Sequence, residues 1–240
     1  TLPDARILIT SGLADDGDLN QQHEIYDPVT GAQFLPASTN AFLPLYPWLH
    51  VLPNGKVFDS GPQEISLQLD LTTNAWTGVN YNQFGNRYDG TSVLLPLKAP
   101  AYNPEVMIIG GANPATNTTE RINLGGQLPA YQYADSMQYA RHHANAVLLP
   151  DGTVGVFGGT AIDNEPAQAV YAAEIYDPAT NNWTTMASNQ RPRIYHSTAI
   201  LLPDGRVLAS GTDGEFTSEL YSPPYLFAGP RPTISQPSTA

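Results

Sequence analysis

The chain repeats itself. An apolar run ending in Leu-Pro-Asp-Gly or a variant, then a second apolar run closed by glycine, recurs five times in 240 residues. The turns are Leu2-Pro3-Asp4-Ala5, Leu52-Pro53-Asn54-Gly55, Leu95-Pro96-Leu97, Leu149-Pro150-Asp151-Gly152 and Leu202-Pro203-Asp204-Gly205. The runs that follow end on Gly12, Gly61, Gly110, Gly158 and Gly211, about 50 residues apart. A third short strand comes next in each copy, as in Glu24-Ile25-Tyr26-Asp27-Pro28 and Glu174-Ile175-Tyr176-Asp177-Pro178. Three copies run on into a fourth strand that carries Phe34, Trp76 or Trp183. Pro-Asp-Gly and Pro-Asn-Gly supply the turn chemistry of tight hairpins, so the unit is a four-stranded antiparallel sheet.

One such sheet cannot bury both of its faces. A period near 50 with this strand order fits an all-β fold, the kelch-type β-propeller, in which sheets stack face to face around a channel. The expected blade units are about 1–38, 39–86, 87–140, 141–190 and 191–228 of a single domain, with 229–240 a tail or the start of a further β-sandwich domain. The first copy opens at its hairpin, with no room for an inner strand. Either the C-terminal tail supplies that strand and closes a five-bladed ring, or the five units are part of a larger propeller.

Composition agrees with a turn-rich β fold: 20 glycines and 22 prolines stand against 13% charged residues. Ten Lys and Arg against 22 Asp and Glu give a net charge of −12, which disfavours a nucleic-acid partner. With no cysteine, the chain cannot build a disulfide, a zinc-thiolate site or a thiol nucleophile. No apolar run is long enough for a membrane span, and Thr1-Leu2-Pro3-Asp4 lacks the features of a signal peptide, so a soluble, mature or truncated chain is expected.

Inner strands of a propeller begin at the channel mouth. Tyr88, His142 and Tyr195 stand at one offset before the blade prolines Pro96, Pro150 and Pro203; Tyr46 is one residue nearer Pro53. His143 and His196 lie beside them. These six residues are candidate channel-lining groups, and phenolate with imidazole suits copper or iron better than calcium or magnesium. Neighbours on a regular strand point to opposite faces, so Tyr195 and His196 could share a metal only if the chain is irregular there. Packing of these aromatics between blades is the competing reading. Asp16-Gly17-Asp18-Leu19-Asn20 lacks the glycine and distant glutamate of a calcium loop and reads as a solvated acidic turn. Asn117-Thr118-Thr119 and Asn182-Trp183-Thr184 are glycosylation patterns, compatible with export.

The run Arg191-Pro192-Arg193-Ile194-Tyr195-His196-Ser197 through Leu202-Pro203-Asp204-Gly205-Arg206-Val207, with Leu220-Tyr221-Ser222-Pro223-Pro224-Tyr225, resembles the copper-radical oxidases. Leu45-Tyr46-Pro47-Trp48, Arg87-Tyr88-Asp89-Gly90 and Arg141-His142-His143 follow in the order of the glyoxal-oxidase-like branch of that galactose oxidase and glyoxal oxidase family. The resemblance covers essentially the whole chain and implies five blades of a seven-bladed propeller. It implies a copper cofactor, with Tyr195 as the axial ligand that takes the substrate proton and His196 as an equatorial ligand. The family's cross-linked Cys has no counterpart here. In the glyoxal-type order its Tyr partner lies upstream of Thr1; in the galactose-oxidase order Tyr46 would take that place. The second copper-ligating His of the family comes from a β-sandwich domain expected to begin near Gly229-Pro230-Arg231-Pro232-Thr233-Ile234. The implied activity is that of a secreted oxidase acting on a small aldehyde, primary alcohol or carbohydrate with reduction of O2 to H2O2, and inactive as this chain alone. A non-catalytic propeller that binds glycan or protein is the alternative.

Overall fold

In the computed structural model, which describes residues 1–230, every strand belongs to one of five antiparallel sheets. The first is β1 (Ile7–Ile9), β2 (Glu24–Asp27) and β3 (Gly31–Phe34). The second runs β4 (Leu49–Val51), β5 (Val57–Asp59), β6 (Ile65–Asp70) and β7 (Ala75–Tyr81). The third runs β8 (Thr91–Leu94), β9 (Glu105–Ile109), β10 (Thr119–Asn123) and β11 (Tyr131–Ala134). The fourth is β12 (Asn145–Leu148), β13 (Val154–Phe157), β14 (Ala172–Asp177) and β15 (Asn182–Ser188), and the fifth β16 (Ser197–Leu201), β17 (Val207–Gly211) and β18 (Ser218–Tyr221). Each sheet is a meander of sequential neighbours, as tight Pro-Asp-Gly turns require.

Between consecutive blades lies an apolar layer. Leu2, Ile25, Val57 and Leu69 join blades one and two; Phe58, Val106, Ile108 and Ile122 join two and three. Met107, Ile109, Val154 and Val156 join three and four; Val147, Leu149, Phe157 and Val207 join four and five. The middle strands are therefore buried on both faces: Val57–Asp59 and Val154–Phe157 have no exposed residue. The outward faces of the end blades carry Ile7, Ile9 and Tyr26 on one side and Ile200 and Leu220 on the other, all exposed.

The expectation that the five units are part of a seven-bladed propeller is overturned. The structure has five blades in a ring, the arrangement of a five-bladed propeller. Residues from all five, Leu19, Tyr46, Tyr88, His143 and Tyr195 among them, line one mouth. The phenol of Tyr195 in blade five hydrogen-bonds Tyr46 in blade two, and Ser11 of blade one donates to the Pro44 carbonyl. The physical reason is that one mouth gathers residues of all five blades and is narrow enough for the Tyr195 phenol of blade five to meet Tyr46 of blade two. The uniform four-stranded unit is corrected too. Blades one and five have three strands among the described residues, and the third blade has a fourth strand, β11, that no Trp or Phe announces. Part of the segment expected to open a further domain, residues 231–240, lies outside the described residues.

Candidate functional site

Three blades begin their inner strands in the same irregular way. Asp89, His143 and His196 precede β8, β12 and β16, and their φ values are +60°, +52° and +59°. A left-handed residue at the strand start breaks the alternation of a pleat. That sets the geometry of the two adjacent side chains: the rings of Tyr195 and His196 stack at 3.8 Å between centroids instead of pointing to opposite faces. His143 of the neighbouring blade sits 4.9 Å from Tyr195 by the same measure.

The backbone around these positions is fixed by a buried charge clamp in each blade. Arg141 donates to the carbonyls of Gly158 (2.7 Å) and Ala172 (2.7 Å) and pairs with Glu174 at 2.6 Å, both side chains fully buried. Arg87 does the same with Gly110, Thr118 and Glu120, and Arg193 with Gly211, Thr217 and Glu219. Each Glu also accepts a backbone N–H from the preceding loop, at Gln83, Gln138 and Gln190. The clamp carbonyls then reach back to the previous blade: Gly111 N–H donates to Arg141 O, and Gly159 N–H to Arg193 O. Gly159 is left-handed at φ +88°, and a Cβ there would meet the His142 carbonyl at 2.5 Å, so only glycine fits.

These elements surround a cavity of about 810 Å3 lined by Tyr46, Tyr88, Tyr195, His143 and His196, with Trp48 and Phe42 on its apolar wall. Tyr46 and Tyr88 are 68% and 52% exposed. The hydrogen bond to Tyr46 raises the Tyr195 phenol above its ordinary range, because it favours the protonated form. Of the six sequence candidates, five meet at this mouth. His142 does not line it: it is 2% exposed, bridged to Thr160 by two backbone hydrogen bonds, and burial lowers its imidazole pKa.

Sequence reasoning missed two acidic partners. Asp213 Oδ1 lies 2.9 Å from His196 Nδ1, and Asp163 Oδ1 lies 2.8 Å from His143 Nε2. Both carboxylates come from the connection after the second strand of their blade. A carboxylate on Nδ1 fixes the His196 ring and leaves Nε2 as the nitrogen for a metal. Neither aspartate shares an offset with a repeat feature, so only the folded loops reveal them. The acidic turn at Asp16 and Asp18 is exposed, with Asp16 capping the Asp18 backbone N–H. Among the described residues no helix is long and apolar enough to cross a membrane.

The donor set at the mouth fits copper in kind, with Tyr195 and Tyr46 as phenols and His196 as an oriented imidazole. The chain is similar to "Aldehyde oxidase GLOX" of Vitis pseudoreticulata, 28% identical over 98% of this chain and 52% of that protein. It is similar to "Galactose oxidase" of Gibberella zeae, 27% identical over the whole chain and 40% of that protein. It thus spans about half the length of these curated relatives. A solved structure of a fungal alcohol oxidase in complex with copper superposes with a TM-score of 0.78 over 94% of this chain and 52% of that one; at 24% identity the likeness shows the fold. The sequence profile described as "Glyoxal oxidase N-terminus" matches residues 1–225, and with Tyr195-His196 at the mouth of a kelch-type propeller the chain belongs to that glyoxal oxidase and galactose oxidase-like family of copper oxidases.

Proposed function

We propose that this chain is the propeller of a secreted copper-radical oxidase that converts an aldehyde or a primary alcohol while O2 is reduced to H2O2. For an alcohol the balance is RCH2OH and O2 to RCHO and H2O2; for an aldehyde, water is also consumed and a carboxylic acid forms. The observation that carries the reading is the Tyr195-His196 stack, held on a left-handed strand start with Asp213 behind the imidazole. Tyr195 and His196 would hold the copper, which supplies one-electron redox chemistry when bound. His196 contributes Nε2, oriented through Nδ1. The Tyr195 oxygen already holds and shares a proton, with Tyr46 as the second hydrogen-bonding oxygen. With copper bound the phenol would give up that proton, and the Tyr195 oxygen would then be the group to accept the proton of a substrate hydroxyl. Trp48 and Phe42 give the cavity one apolar wall, and Tyr88, which also lines it, would orient a polar substrate end.

A cysteine-linked tyrosine cannot be built from residues 1–240, which contain no cysteine. We propose that this tyrosine and a further histidine come from outside these residues, so that the chain alone is inactive. A peroxide-coupled assay over aldehydes and primary alcohols, on the protein from its full reading frame, tests the reading. Tyr195→Phe is expected to lower kcat by about 10²–10⁴-fold, the worth of a positioned proton acceptor. No peroxide from any such substrate in the copper-loaded protein would favour a propeller that only binds glycan or protein.

A further inference from the structure

Asp89, His143 and Asp163 bring three ligand atoms within 4.8 Å of one another at the rim of the mouth. They come from two blades and three loops: Asp89 from the start of blade three, His143 from the start of blade four, Asp163 from the connection after β13. His143 Nε2 is 2.8 Å from Asp163, and its Nδ1 is 3.8 Å from Asp89. Backbone bonds hold all three in place. His143 N–H donates to the Asp89 carbonyl at 2.6 Å, and Thr160 Oγ1 donates to the carbonyls of Ile162 and Glu165, shaping the loop that presents Asp163.

A second observation points the same way. His142 is 98% removed from solvent, yet neither of its ring nitrogens has a hydrogen-bond partner. Its ring lies 6.0 Å from that of His143 and within electrostatic reach of Asp89 and Asp163. A buried imidazole with two unpartnered nitrogens, adjoining the His143 ring and within the field of two carboxylates, is a polar group that a cation bound at the rim would help to satisfy.

We propose that Asp89, His143 and Asp163 form a divalent cation site distinct from the Tyr195-His196 pair, with His142 as the adjoining imidazole. Two carboxylates with imidazole suit an ion of intermediate hardness, Zn2+ or Mn2+, over Ca2+ or Mg2+, which favour all-oxygen shells. Ligand atoms about 2.0–2.2 Å from one ion lie roughly 3.3 Å apart, so small side-chain rotations close the present spacing. The net charge of −12 favours cation capture at this rim.

Calorimetric titration with Zn2+, with Mg2+ as comparison, tests the proposal. One Zn2+ per chain is expected, with at least tenfold weaker binding of Mg2+. Asp163→Asn and His143→Asn should each weaken Zn2+ at least tenfold, while His196→Asn leaves it unchanged. Asn suits the left-handed backbone at 143 and 196 and so preserves the fold, which thermal unfolding of each variant checks. No stoichiometric Zn2+ binding by the folded protein overturns the proposal. So does binding that survives Asp163→Asn and His143→Asn but is lost in His196→Asn; that result would leave the oxidase reading standing.

Discussion

Asp59 closes β5 with no solvent exposure, and burial pushes its carboxyl up to about 7 although Gly61 N–H and the Gln63 amide donate to it. The folded state holds this proton above the unfolded value of about 3.9, so the stability tied to it is full below about pH 4 and is lost as pH rises towards 7. His50, on the adjacent strand β4, works in the opposite sense. Burial takes its imidazole down to about 4, so its contribution is present above about pH 6.5 and lost as pH falls through 4. Between those limits the two slopes oppose each other. Asp59→Asn should remove the falling slope, and the urea midpoint of the variant should climb more steeply than the wild type from pH 4 to 6.5; parallel profiles would contradict this. At this scale the sequence was readable where a local motif is present: Tyr195 and His196 stand at the start of an inner strand, ahead of Pro203, and both line the mouth. Asp59, Asp163 and Asp213 were not readable in this way, because their roles depend on what a neighbouring strand or loop places against them.

At the scale of the element, the left-handed strand start explains how two adjacent residues serve one mouth, which a regular strand forbids. The Arg–Glu clamps hold that start in place. Arg87, Arg141 and Arg193 stand just before the candidate tyrosines and histidines, within the family-like runs, but their Glu partners lie 26 to 33 residues onward and only the folded sheet pairs them. Arg141→Met should cost about 3–5 kcal/mol, since it strands Glu174 without a countercharge in a fully buried place. Adding Glu174→Leu should recover a large part of that loss. Denaturant unfolding of the single and double variants checks it, and a double variant no more stable than the single would contradict the clamp. Strand order was legible from apolar runs and Pro-Asp-Gly turns; the clamp was not, because it is long-range.

For the whole molecule, repeats gave the number of sheets, and the seven-bladed expectation came from resemblance, not from a residue pattern. The approach of Tyr46 to Tyr195 across the mouth is long-range, and no single repeat encodes it. Packing between blades should then carry the stability unevenly. Ile108→Ala, in the layer between blades two and three, should cost about 2–5 kcal/mol. Ile200→Thr, on the exposed outer face of blade five, should stay within about 0.5 kcal/mol. Equal losses in chemical unfolding would mean that the outer face is covered in solution. The most direct test of the oxidase reading is copper titration of the protein from its full reading frame, followed by electron spin resonance of wild type, His196→Asn and Asp163→Asn. The account predicts a Cu2+ component with nitrogen hyperfine structure that is lost in His196→Asn and kept in Asp163→Asn; a copper signal unchanged in folded His196→Asn would contradict it.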